Sequence, residues 1–570
     1  MRERRVIRLW ASVAACGALA LPLATAPPAS ARGIAAPAGA GLRAVQGLPA
    51  LPAGAVETGR LTAATRVSMR VVLAPRDPVA LARFVAAVSS PSSARFRHFL
   101  PRGQFAARFG PTPVAIGTVV GLLRHDGLTV TSISPSHLVL AVSGTASSFG
   151  TALHAPLVSW RLRTGAVGYR IARAARLPAA VAPLVAGVVG VSSFLRERSF
   201  AVRPTRASIG RAIGVRATPA ARAGPRTAPS NPPCADLTTQ TTPPSNSYAP
   251  YQIGQAYGLD TAWSHGFDGT GRTVAVEEFA PYATSDVVTY DTCNGILPLT
   301  ATSDPKVHNV LVDGGTSPGS AGGSDEPTLD LEELRTLAPG ATLDVYLGPN
   351  NVTGPIDVLQ RIASDDTAQA VSISWGICEA FSEHADETPI FEQLAAQGQA
   401  VFAASGDSGS SDCLAQTPPG GSVLAGAAVD DPAAQPLVTG VGGLTVTQVS
   451  PPDQAVWNDC VLFREPACLG DATGGGISTV FRRPAWQAAP GVPTGTARGA
   501  TARLVPDLSV MGDPATGMVI FYDHAYQPIG GTSMGAPLMS ALDVVAAQAC
   551  GAETLGFLNP LLYAMARHGG

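Results

Sequence analysis

Four polar side chains stand in settings that chemistry explains better than packing does. Ser533 lies in Gly530-Gly531-Thr532-Ser533-Met534-Gly535-Ala536-Pro537, just before an apolar run, Leu538 to Gln548, that reads as a helix. A hydroxyl at a helix start has backbone N–H groups and the positive end of the helix beside it, which stabilise an oxyanion. Flanking glycines let a substrate backbone come close. A serine nucleophile needs a base, usually histidine. None of the nine histidines (His98, His125, His137, His154, His265, His308, His384, His524 and His568) sits in a glycine-rich HGTH setting. What occurs instead is Ser324-Asp325-Glu326-Pro327-Thr328-Leu329-Asp330. Proline suits the first turn of a helix, so a helix beginning here places Glu326 and Asp330 on one side. Adjacent carboxyls resist double ionisation and share a proton, as a base working in acid must. The fourth residue, Asp407, follows the apolar strand Ala400 to Ala403 in Ser405-Gly406-Asp407-Ser408-Gly409. An acid there is a turn residue, a metal ligand or, when protonated, a donor to an oxyanion.

These residues need a frame that brings them together. From Tyr251 onward, apolar runs alternate with helical stretches: Val274 to Phe279 (VAVEEF), Ala341 to Gly348 (ATLDVYLG), Ala370 to Gly376 (AVSISWG), Ala400 to Gly409 (AVFAASGDSG) and Pro436 to Gly443 (PLVTGVGG). Continuous apolar strands separated by helices predict an α/β fold, a parallel sheet with helices on both faces. Active residues of such sheets gather at the carboxyl ends of the strands. Upstream, Val67 to Leu73 reads as a strand, Pro78 to Val88 as a helix, Phe105 to Leu123 as a helical region, and Thr129 to Val142 as strand material, with another strand near Ala155. The apolar run Leu177 to Leu195 contains Pro178, Pro183, Gly187 and Gly190, and reads as a buried helix followed by a strand. This alternation predicts a separate α+β sandwich of the split βαβ type. Pro204 to Ser247, rich in Arg, Ala, Pro, Thr and Ser, reads as an exposed linker.

Hydrophobic residues make up 46% of the chain and charged residues 14%, which excludes wholesale disorder. Arg2, Arg4, Arg5 and Arg8, the apolar run Leu9 to Ala24, and Ala29-Ser30-Ala31 form a secretory signal with cleavage after Ala31. The expected location is therefore extracellular, with no membrane span. The near-zero net charge conceals an asymmetry. Residues 32–250 carry 25 basic and 5 acidic side chains, and residues 251–570 carry 10 and 35. No nucleic-acid motif accompanies the basic half, so the two halves are expected to bind each other and to loosen in acid. Beyond Cys16, seven cysteines remain: Cys234, Cys293, Cys378, Cys413, Cys460, Cys468 and Cys550. Export permits disulfides, and an odd number leaves at least one thiol over. Candidate pairs are Cys460 with Cys468, Cys378 with Cys413, and Cys234 with Cys293. No CxxC or HExxH spacing points to zinc.

Taken together, these residues resemble the sedolisin family of serine-carboxyl peptidases, which look like subtilisins with the histidine replaced by a glutamate. The ExxxD pair falls on Glu326 and Asp330, the SGDSG aspartate on Asp407 and the GTSxxxP serine on Ser533. Further similar strings are Ser372 to Gly376 (SISWG), Gly474 to Gln487 (GGGISTVFRRPAWQ) and Val505 to Gly517 (VPDLSVMGDPATG). Ser90 to Gly110 resembles the activation domain of kumamolisin-like proenzymes. The resemblance implies a signal (1–31), a ferredoxin-like activation prodomain (32–200), a linker with the maturation site (201–250) and a subtilisin-like peptidase domain (251–570). The linker arginines, Arg203 to Arg226, mark it for processing, with a new N-terminus expected near residues 227–250.

By the same resemblance, Glu326 is the general base for Ser533, Asp330 holds Glu326 and shares its proton, and protonated Asp407 joins the oxyanion hole. Ser372, Ser374 and Trp375, with Gly474, Gly475 and Gly476, line the substrate cleft. The implied partners are polypeptide substrates, cut internally or as tripeptides, and the chain's own prodomain as inhibitor of a monomer. Calcium is usual in the family, held by a glycine-rich DVTxGxNxG loop after the serine helix. No such string occurs before Gly570, so no metal ligands are assigned. An inactive binding protein on a peptidase scaffold is a different reading, opposed by the presence of all four catalytic positions. A neutral subtilisin would need the missing histidine.

Overall fold

The computed structural model describes residues 41–52, 54–194, 196–204, 247–316, 323–411, 427–449, 452–459, 472–488, 491–493 and 501–567. The signal segment, most of the linker, and Cys16, Cys234, Cys413, Cys460 and Cys468 lie outside the described residues.

In β1 (Arg66–Leu73) alternate residues are buried, and Val67, Met69, Val71 and Leu73 enter one apolar core. Helix α1 (Pro78–Ser89) begins where the Ala80 N–H donates to Asp77 at 2.9 Å, with proline in its first turn. Helix α2 (Pro113–His125) is capped in the same way by Thr112. The strands β2 (Thr129–Ile133) and β3 (Val139–Thr145), helix α3 (Ala146–Ala152) and strand β4 (Val185–Val189) complete an antiparallel sheet in the order β2-β3-β1-β4. This is the expected ferredoxin-like arrangement. Two local expectations need correction. The helical region from Phe105 is two helices, Phe105–Arg108 and α2. The run after Leu177 holds a single 3₁₀ turn, Ala182–Leu184, and then β4. Pro178 and Pro183 lack the N–H donors that a longer helix needs.

Strand β5 (Arg198–Ser199) leaves this domain and runs into the larger one. There β6 (Thr273–Glu278), β7 (Val307–Leu311), helix α4 (Asp325–Leu337), β8 (Thr342–Leu347), β9 (Ala370–Ile373), β10 (Trp375–Cys378), β11 (Ala400–Ala404), β12 (Thr439–Val449), β13 (Pro452–Val456), β14 (Leu508–Met511) and helix α5 (Gly535–Ala549) follow in sequence. The main sheet runs β7-β8-β6-β9-β11-β12-β13, with β14 also on β12, and is parallel except for β12 with β13. Neighbouring residues of the central strands enter opposite cores. Val274 and Val276 join one and Ala275 the other, and Ala370 and Val371 divide likewise. Both faces are therefore covered, as the continuous apolar runs require. On one face Leu329, Leu334 and Leu337 of α4 share a core with Leu538, Ala541, Val544 and Val545 of α5, which sets the start of one helix beside the start of the other.

The two domains share an apolar core. Val72, Leu81, Phe84, Val85 and Val88 pack in one cluster with Ile390, Phe391 and Leu394. Ion pairs that cross between them include Arg70 with Asp357, at 2.6 Å and 2.5 Å from its two nitrogens, and with Asp313 at 3.3 Å. The end of β4 is held by Glu383, whose Oε2 accepts from the N–H groups of Gly190 (2.6 Å) and Val191 (3.2 Å). Burial raises the Glu383 pKa to about 8 and that of Asp386 well above the usual range. A carboxyl whose pKa is raised by docking favours docking in acid, and that contribution is lost as pH rises through the raised value. These groups therefore oppose the expected loosening in acid.

Arg335 is 2% exposed as a side chain, 2.5 Å from Asp304 and 3.5 Å from Asp291, whose side chains are also buried. Arg335→Ala strands two carboxyls in the interior and should lower stability by roughly 3–5 kcal/mol in denaturant unfolding. A loss below about 1 kcal/mol would show that the site relaxes or hydrates instead.

Cys293 and Cys378 are each disulfide-bonded, to partners outside the described residues, and Cys550 remains a thiol. Among the described residues no helix is long and apolar enough to cross a membrane.

Candidate active site

Helix α4 carries Glu326 and Asp330 one turn apart on its buried side, both 0% exposed. Asp330 is fixed by the Ser374 hydroxyl, which lies 2.9 Å from each carboxylate oxygen and 3.3 Å from the Ser533 carbonyl oxygen. A hydroxyl has one proton and serves one acceptor at a time, so a proton on Asp330 would complete the second bond. Ser533 is presented by a 3₁₀ turn, Thr532–Met534, that leads directly into α5. Its hydroxyl is close enough to Glu326 to favour the ionised carboxyl, yet neither Oγ nor Glu326 Oε1 completes a hydrogen bond of good geometry. That loose contact is common before a substrate complex tightens. The other oxygen, Glu326 Oε2, accepts from the Ala201 N–H at 2.7 Å.

Burial raises the pKa of Glu326 well above the carboxylate range, and repulsion from Asp330 adds to it, while the Ser533 and Ala201 donors oppose it. Burial does the same to Asp330, against the Ser374 bond. The two titrate as a unit. No histidine among the described residues is hydrogen-bonded to Ser533, Glu326 or Asp330.

Asp407 stands just past the carboxyl end of β11, buried at 5% exposure. Its Oδ1 accepts from both the N–H and the hydroxyl of Thr532, each at 2.8 Å, which ties it to the residue before Ser533. The expected cleft residues divide. Ser372 is buried inside β9, in register with Val276 and Phe402. Ser374 and Trp375 follow it at the strand end and use their backbones on residues 199–200: the Ser374 carbonyl accepts from the Phe200 N–H at 3.3 Å, and Trp375 pairs with Ser199. Gly474, Gly475 and Gly476 brace the Asp407 loop. The Gly474 N–H donates to the Gly406 carbonyl (2.5 Å) and the Gly475 N–H to that of Gly409 (3.3 Å).

Sequence reasoning missed a fourth acid. Glu278, at the carboxyl end of β6, accepts from the Trp375 indole N–H at 2.8 Å. Its pKa is raised by burial first and by repulsion from Asp330 and Glu326 next, so it belongs to the same charge cluster. Two consecutive acids closing an otherwise apolar strand, VAVEEF, were the available signal. Thr532 was also missed, since nothing local marks its hydroxyl as a clamp for Asp407.

Residues 53–194 match the family described as "Pro-kumamolisin, activation domain", and residues 315–553 match the "Subtilase family". The chain is 32% identical to kumamolisin of Bacillus sp. (strain MN-32) over 530 residues, which span 89% of this chain and 85% of that one. It belongs to the sedolisin family. A second relative, sedolisin of Pseudomonas sp. (strain 101), is 29% identical over 87% of this chain and 78% of its own. Tripeptidyl-peptidase 1 of Canis lupus familiaris is 25% identical over 90% and 85%. This sedolisin-family chain is thus a serine-carboxyl peptidase, a hydrolase with an activation prodomain ahead of a subtilisin-like peptidase domain. Among the described residues no group of three or more His, Cys, Asp or Glu side chains is placed to hold a metal ion.

Proposed function

We propose that this peptidase is secreted, works in acid and uses Ser533 as nucleophile, Glu326 as base, Asp330 as the group that holds Glu326, and protonated Asp407 as an oxyanion donor. One observation carries the reading: Ser533 faces a buried carboxyl that a second carboxyl backs from one helical turn away, with no histidine bonded to any of the three among the described residues. Glu326 takes the Ser533 proton as Oγ bonds to the peptide carbonyl carbon. The oxyanion so formed is met by Asp407 and the Ser533 N–H. The C–N bond then breaks as Glu326 returns the proton to the amine. Water attacks the acyl-enzyme through the same base, which hands its proton back to Ser533 as the acid product leaves.

The working pair holds one proton. Protonating both carboxyls removes the base, and ionising both leaves two charges in one site. In the proenzyme, burial holds both pKa values up. Vacating the cleft admits water, weakens the burial effect and returns the pair toward the ordinary carboxyl range, which puts the working window in acid. The basic, apolar, small-residue order of residues 1–31 supports export. Residues 198–203, lying against Ser374, Glu326 and Gly530, support the prodomain as inhibitor and polypeptides as substrates.

The test is hydrolysis of an unfolded protein by the processed enzyme across pH. We expect a bell-shaped profile of kcat/KM centred near about pH 4 and falling away by neutrality. An enzyme idle at that pH and most active near pH 8 would overturn the acid reading.

A further inference from the structure

The segment that leaves the prodomain lies in the active site in the manner of a substrate. Arg198 and Ser199 pair antiparallel with Gly376 and Trp375. The Phe200 N–H donates to the Ser374 carbonyl at 3.3 Å. The Ala201 N–H donates to Glu326 Oε2 at 2.7 Å. Val202 exchanges both backbone bonds with Gly530, at 2.9 Å and 2.8 Å. Arg203 meets Asp325 at 3.1 Å. The Phe200 carbonyl oxygen rests against Gly531, where a Cβ would collide with it, and Asp407 Oδ2 lies 3.0 Å from the same Cβ position. Gly531, at φ 107°, is thus required both by its backbone and by this approach.

One peptide bond therefore has its oxygen on the Asp407 side, its nitrogen on the base, and strand pairing on both flanks. We infer that the proenzyme first cuts itself between Phe200 and Ala201, and that Phe200 marks a subsite for a large aromatic residue on the acyl side of substrates. The inference rests on the catalytic reading above. Ser533 Oγ bonds to the Phe200 carbonyl carbon and its proton passes to Glu326. The Phe200–Ala201 C–N bond breaks, and Glu326, already hydrogen-bonded to that nitrogen, delivers the proton that makes Ala201 the new amino terminus. Water then releases Phe200 as a carboxyl terminus. Phe200 is 0% exposed, with the guanidinium of Arg198 from the same segment 4.8 Å above its ring, so its side chain is withdrawn from solvent while the segment lies in the cleft. The first cut falls at the head of the linker, upstream of the 227–250 region, so any cut there is a later trimming.

The experiment uses full-length proenzyme, purified near neutrality, moved to acid and sampled by intact mass and terminal sequencing, with an unfolded protein added in a parallel arm. The expected first products end at Phe200 and begin at Ala201, at a rate independent of protein concentration. A first cut elsewhere, or wild type that digests the added protein while Phe200–Ala201 stays whole, overturns this inference and leaves the peptidase reading intact. Wild type that digests neither, or Ser533→Ala cut at the wild-type rate, overturns the catalytic reading itself. Phe200→Ala should slow the first cut about 10- to 100-fold through loss of a buried aromatic side chain, and an unchanged rate would remove the aromatic subsite. Ala201→Pro takes away the N–H that faces Glu326 and should abolish cleavage at this bond, whereas retained cleavage there would contradict the pose.

Discussion

Ser533→Ala is expected to leave the proenzyme full length in acid and to lower turnover by about a million-fold, as loss of the nucleophile does in a peptidase whose catalytic groups act as a unit. The hydroxyl is buried at the start of α5, and alanine removes one oxygen from a site that packing already defines, so the variant should fold and dock its prodomain normally. Glu326→Gln should fall by a similar factor. An amide cannot take the proton, although its oxygen can still accept from the Ala201 N–H. The informative comparison is the double variant, which should be hardly worse than either single one, because each change alone already disables the same step. Turnover of the processed forms, produced by an added protease of different class, is the quantity to measure. If the two losses multiply, Glu326 is not the base for Ser533, and the facing geometry has another purpose.

Asp407→Ala should cost roughly a hundred- to a thousandfold in kcat with little change in KM, the signature of a lost oxyanion donor. Oδ1 is occupied by the two Thr532 bonds. Oδ2 lies toward Gly531, where the Phe200 carbonyl oxygen sits, so a proton there points at the developing charge. An ionised carboxylate in that place would repel it. Asp407→Asn separates the two roles of the residue. The amide can keep the Thr532 clamp through its oxygen and donate from its nitrogen at every pH. It should therefore retain part of the activity and move the alkaline limb of the kcat profile upward, as far as the Glu326 and Asp330 pair allows. Wild-type kcat in Asp407→Ala at the acid optimum, with folding confirmed, would reduce Asp407 to a turn residue.

The chain's local patterns were enough to determine several features. Glu326 and Asp330 lie on one helix, so i,i+4 spacing alone puts them on one side. Asp407 follows an apolar strand and Ser533 opens an apolar helix, and in a parallel sheet those positions lie at the same edge. An α+β sandwich and a parallel sheet covered on both faces were readable for the same reason, since strand and helix periods are local, while their ferredoxin-like and subtilisin-like forms were implied by the resemblance. What the tertiary structure decided is which distant groups meet. Glu278 joins the carboxyl cluster because β6 lies beside β9 in the sheet, and Trp375 reaches it because Ile373 ends its strand one residue past Ser372. Residues 198–203 straddle the expected boundary between prodomain (32–200) and linker (201–250), and nothing local marks them as a strand. They become a bound strand because the shared core of Val72, Phe84 and Phe391 fixes where the prodomain ends, and because the unpaired edge of β10 and the oxygen of Glu326 await N–H donors there. Backbone pairing of that kind depends on docking and on carbonyl direction, neither of which is written in side-chain types, so the bond set between Ser533, Glu326 and Asp407 could be recognised only in three dimensions.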